Sequence, residues 1–139
     1  MTEIETGATT TTILTVEQQH LAEQLALEPG ESFPAVFSTP WLLAQIERTA
    51  AKALHPLLQD GQLSVGARVS LEHVAPTRVG GEITAYARFV GTEGSLFLFD
   101  VWAEDKAGLI GKGTHARAIV PKAAVEKSAG KRHSLTSNN

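Results

Sequence analysis

The chain has 139 residues, 42% of them apolar, which is the size and composition of one folded domain with a single core. Its net charge of −3 offers no cationic field for nucleic acid, and no apolar run nears the ~20 residues of a membrane-spanning helix, so neither partner is expected. Cysteine is absent, which removes disulfides, thiolate metal sites and cysteine nucleophiles together and favours a reducing compartment.

Met1 to Leu14 carries Glu3, Glu5 and a run of threonines in place of a cationic start and an apolar core, which predicts no secretory signal and a cytoplasmic protein. The β-branched stretch Thr9 to Val16 predicts a first strand. Glu17 to Leu27 reads as a short helix or a covering segment, closed by Glu28-Pro29-Gly30-Glu31 and a loop through Phe33-Pro34. The one long helix starts at Thr39-Pro40, with threonine as cap and proline at the first helical position, where its missing N–H is no loss. Leu42, Leu43, Ile46, Ala50, Ala53, Leu54 and Leu57 recur at three- and four-residue steps as one apolar stripe, opposite Arg48 and Lys52. Pro56 and the turn Gln59-Asp60-Gly61 end it.

From Leu63 the period becomes two. Val65, Ala67, Val69 and Leu71 share the face expected to meet the helix, and Arg68, Ser70 and Glu72 share the other. After Pro76 and Gly80-Gly81, Ile83, Ala85, Ala87 and Phe89 alternate with Glu82, Thr84, Tyr86 and Arg88 in the next strand. The turn Gly91 to Gly94 leads to a strand from Ser95 to Glu104, apolar on both faces, and a last strand runs from Leu109 to Val120. Beyond Pro121 apolar residues become sparse, so residues 1–126 read as a single domain and 127–139 as a disordered tail. One strand, one long helix and four further strands predict an α+β architecture, an antiparallel sheet of about five strands around one helix. The apolar second face of the Ser95 to Glu104 strand predicts pairing with a second copy.

Several residues could carry chemistry. Glu47 lies at the edge of the helix stripe, where it either pairs with Arg48 or Lys52, reaches solvent, or stands half-buried as an acid or base. His73 interrupts an inward apolar row and is either a hydrogen-bonded core residue or, with Glu47, an acid–base pair suited to acyl transfer. Thr39 caps the helix, and the N–H groups at that end suit a thioester carbonyl or an anionic intermediate. Gly66 marks a bulge or a close approach to a ligand. His115 and Arg117 read as a solvated outer face or, for Arg117, a contact to a CoA phosphate, while Ile110, Thr114, Ala116, Ala118 and Val120 take the opposite face. His20 and His55 have no visible partners, and their spacing makes no metal motif, so neither metal nor cofactor is expected.

Phe37-Ser38-Thr39, Glu47 eight residues after Thr39, Gly66, His73 and the closing Gly113-Thr114-His115-Ala116-Arg117 together resemble the fluoroacetyl-CoA thioesterase family of hot-dog proteins over roughly Phe33 to Lys122. The resemblance implies a hot-dog fold and a site at a dimer interface formed by a threonine, a glutamate and a histidine, here Thr39, Glu47 and His73, with Gly66 beside them. Phe37 and Arg117 are the further substrate contacts expected. Pro40 and Trp41 follow the threonine where members of the family vary, which leaves the acyl group open. The expectation is a homodimeric hydrolase of small or short-chain acyl-CoA. A hot-dog hydratase or dehydratase and a non-catalytic acyl-CoA-binding module are the alternatives.

Overall fold

The computed structural model describes residues 3–136; the last three residues of the expected tail lie outside the described residues. Strands β1 (Thr9–Thr15), β2 (Gln62–His73), β3 (Glu82–Glu93), β4 (Leu96–Asp105) and β5 (Gly108–Pro121) form one antiparallel sheet in the order β1-β3-β4-β5-β2. Helix α1 (Thr39–Leu54) touches every strand, so the sheet wraps around it. Tight turns join β3, β4 and β5, whereas the chain needs α1 to pass from one edge strand, β1, to the other, β2. Glu17 to Leu27 becomes two short 3-10 turns, Gln18–His20 and Ala22–Leu25.

The stripe on α1 builds the core. Leu42, Ile46, Ala50 and Leu54 pack on Ile83, Ala85, Ala87 and Phe89 of β3 and on Phe99, Val101 and Ala103 of β4. Each fully buried leucine or isoleucine contributes about 1.5–3 kcal/mol, and the alanines facing the helix let it lie close to the sheet. Polar groups caught in this layer are paired: Gln45 Nε2 donates to Thr12 Oγ1 at 2.7 Å, and the Thr49 hydroxyl donates to the Gln45 carbonyl at 2.7 Å.

Four expectations need correction. The helix cap is Ser38, whose Oγ accepts from the Trp41 N–H at 3.2 Å, so Thr39 is the first helical residue and Pro40 the second. In β2 a bulge at Ala67 shifts the register between Gly66 and Arg68. Upstream of it Ser64 and Gly66 face the helix in place of Val65 and Ala67, while Val69, Leu71 and His73 keep the expected face. In β5 a second irregularity, opposite Ala103 and Glu104, gives Ile110 no place in the alternation. The inward set is therefore Gly111, Gly113, His115 and Arg117, opposite in parity to the expectation; a Cβ on Gly111 would meet Leu42 of α1 at 2.7 Å. The solvated outer face assigned to His115 and Arg117 is wrong, because both are buried.

The tail is the fourth. Residues 122–136 form a helix, α2 (Lys122–Thr136), where composition from residue 127 onward predicts disorder. Alanine and lysine favour helix, but with no apolar stripe none of its residues is buried. On the outer face of the sheet, Tyr86 stacks on Trp102 at 5.0 Å between ring centres, and Arg88 lies over Trp102 while pairing with Asp100 at 2.8 Å. Part of the apolar second face of β4 is thus covered from within the chain.

Candidate active site

Two clusters form between α1 and the inward face of β2 and β5. The first stands at the start of the helix. Because Ser38 caps, the Thr39 hydroxyl is released from that duty and meets His73 Nδ1 at 2.8 Å. A lone-pair Nδ1 accepts the hydroxyl proton; a protonated one donates to the oxygen. His73 Nε2 is buried with no hydrogen-bond partner among the described residues, the signature of a group that awaits one. Burial holds the His73 pKa below its ordinary value of 6.5, opposed in part by the Ala75 backbone. The helix end itself offers less than a bare N-terminus would. Pro40 has no N–H and that of Trp41 is taken by Ser38, which leaves the Thr39 N–H as the open donor.

The second cluster centres on Glu47, two turns along. Glu47 Oε1 accepts from Arg117 Nη1 at 3.3 Å, and its side chain is 41% exposed while Arg117 as a whole is only 6% exposed. Arg117 is fixed at three further points: Nε donates to Ser64 Oγ at 2.9 Å, Nη2 to the Ser64 carbonyl at 2.8 Å, and Nη1 to His115 Nε2 at 3.2 Å. His115 fits as a neutral ring, since Nδ1–H donates to the Arg68 carbonyl at 2.8 Å and leaves the Nε2 lone pair for Arg117. Its pKa is lowered, chiefly by burial and further by Arg117, with the Arg68 carbonyl and Glu47 acting the other way. Burial also lowers the Arg117 pKa against the pull of Glu47. A Cβ on Gly66 would run into Glu47 Oε1 and come within 3.3 Å of His115, so only glycine leaves the carboxylate where it is.

Thr39 is thus joined to His73, and Glu47 to Gly66 and Arg117, but Glu47 and His73 make no contact within the chain. Eight helical residues separate Thr39 from Glu47, about 12 Å at the helical rise. Phe37 is buried in the core, edge-on to His20 at 6.3 Å between ring centres, and presents no surface to a ligand. His20 does have partners: Nδ1 accepts the Glu17 N–H at 2.9 Å and the ring packs edge-on to Trp41. Ser64 and His115 are the site residues that strand parity misses, because each lies beyond a bulge. Their sequence signal is the pairing of His115 with Arg117 two residues apart on one strand face.

A family model described as fluoroacetyl-CoA-specific thioesterase matches residues 16–123. A fluoroacetyl-CoA thioesterase of Streptantibioticus cattleyicolor is 34% identical over 88 residues, 63% of this chain and 63% of the relative, so the match spans less than two thirds of that protein's length. Among solved structures, a thioesterase superfamily member from Thermus thermophilus is similar with a TM-score of 0.88 and 26% identity over 100% of both chains. A variant of a fluoroacetyl-CoA-specific thioesterase in complex with fluoroacetate and CoA gives a TM-score of 0.82 at 28% identity, covering 87% of this chain and 98% of the other.

Proposed function

The chain belongs to the fluoroacetyl-CoA-specific thioesterase family, and from that premise we propose that it hydrolyses a small acyl-CoA thioester to the free acid and CoA. The observation that carries this reading is the half-exposed Glu47 carboxylate, held against Gly66 by a buried arginine, on the same concave face as the Thr39–His73 pair. Glu47 either takes a proton from water as the water oxygen bonds to the thioester carbon, or attacks that carbon itself to form an anhydride that a water then hydrolyses to the free acid; in both routes the C–S bond breaks and the thiolate leaves with a proton. Thr39, through its N–H and hydroxyl, holds the carbonyl oxygen. His73 moves the proton, a role that its unpartnered Nε2 supports.

The distance between the two clusters is resolved by a homodimer. β2 is an edge strand with Val69 exposed, an unpaired row of backbone groups that suits a second copy better than water. Antiparallel pairing of two such edges centred on Ser70 sets Gly66 opposite the partner's His73, since the bulge at Ala67 leaves three paired positions from Ser70 to either residue. Each site then takes Glu47 and Gly66 from one protomer and Thr39 and His73 from the other. The cysteine-free chain suits a reducing location, the cytoplasm. Release of free thiol from a panel of acyl-CoA thioesters tests the activity: turnover greatest with two- to four-carbon acyl groups supports it, and binding of those thioesters without turnover contradicts it. Label recovered in the Glu47 carboxylate after a single turnover in heavy-oxygen water identifies the acyl-enzyme route, with water opening the anhydride at the Glu47 carbon.

A further inference from the structure

We propose that the groove between the second half of α1 and the start of β2 binds the phosphorylated nucleotide end of the substrate, with Arg48 and Lys52 as the phosphate ligands. The proposal rests on the acyl-CoA reading above and names residues for a part of the substrate that the Glu47 and Thr39 clusters do not touch. The groove has a volume of about 680 Å³; Arg48, Ala51, Lys52 and His55 form one wall, and Leu63 and Ser64 stand on the other.

Arg48, Lys52 and His55 follow one another at four- and three-residue steps, so all three present to one side of the helix. Two permanent cations this close repel unless an anion joins them. Among the described residues none does. The ion pairs join Arg68 to Glu93, Arg88 to Asp100 and Arg117 to Glu47, whereas Arg48 donates to the neutral Gln45 Oε1 at 2.9 Å and Lys52 to the Thr11 carbonyl at 2.9 Å. Each keeps further N–H donors free. In a chain of net charge −3, this is a local excess of positive charge with no internal counterpart.

The position fits the substrate. Arg48 follows Glu47 directly, and Ser64 on the opposite wall is the residue that anchors Arg117 beside that carboxylate. From Glu47 to His55 the helix advances about 12 Å, a distance a partly bent pantetheine arm spans. With the thioester at Glu47, the phosphates reach the basic wall, and Ala51 and Leu63 offer an apolar surface to the base.

The test titrates adenosine 3′,5′-bisphosphate into the full-length protein by calorimetry, with inorganic phosphate in parallel. The expected result is bisphosphate binding that weakens at least about tenfold in R48Q/K52Q and weakens with added salt. R48Q alone, which leaves the bond from Lys52 to Thr11 in place, shows the same direction. Steady-state rates add a second readout: the KM for acetyl-CoA rises in the double variant while that for S-acetyl-N-acetylcysteamine, which lacks the nucleotide, does not. Equal bisphosphate affinity in wild type and variants, affinity no greater than for inorganic phosphate, or a matched rise in both KM values overturns the proposal. If the wild type hydrolyses neither thioester, the thioesterase reading fails, and the bisphosphate titration still decides whether the groove binds nucleotide phosphates.

Discussion

A methyl group at position 66 would occupy the place of Glu47 Oε1, which makes Gly66→Ala a direct probe of the carboxylate's position. We expect it to lower kcat/KM by about 10–100-fold with little change in melting temperature, because Glu47 is free to swing toward solvent. Position 39 separates two roles that its neighbour shares in the sequence. Ser38→Ala should cost about 1 kcal/mol of stability as a lost cap, whereas Thr39→Ala should leave the melting temperature nearly unchanged and lower turnover. Thermal denaturation and steady-state rates on both variants check the split. His73 and His115 set the pH response. Both have native pKa values below 6.5, so the unfolded chain binds more protons as pH falls below 6.5. Stability is therefore full above 6.5 and is lost as pH falls through the native values. His115→Gln should flatten that acid limb, read as melting temperature against pH.

At the scale of elements, what could be read from the sequence depended on unbroken periodicity. The α1 stripe, the β3 alternation and the inward direction of His73 follow from regular steps, and Glu47 falls at the stripe edge as the helical angle requires. Strand parity puts His115 and Arg117 on the wrong face and gives Ser64 and Gly66 none, because one extra residue inverts every side chain beyond it, and neither Ala67 nor Ile110 differs in type from an ordinary strand residue. The cap slipped by one position because serine and threonine adjoin and both cap well. Composition misled for α2, since a segment without apolar anchors can still be helical when alanine and lysine are frequent. With none of its residues buried, that helix should contribute little. Truncation after Glu126 is expected to leave melting temperature and turnover within error, and a clear drop in either would mean that the helix docks on something.

For the whole molecule, the sheet order leaves β2 at an edge and divides the site residues between two places on α1, and one arrangement answers both facts. Mixing inactive Glu47→Gln and His73→Ala protomers tests it. If sites are shared, half of randomly formed dimers are mixed and each has one intact site, so about a quarter of wild-type turnover returns. If each protomer holds its own site, mixing restores nothing.

Hydrolysis by Glu47 with His73 is probed by thiol release from the preferred acyl-CoA by the folded Glu47→Gln and His73→Ala proteins, each measured alone. Each is expected to lose at least about 100-fold in kcat/KM, the scale of an acid–base group, with circular dichroism unchanged. Near wild-type thiol release from either folded variant would contradict it.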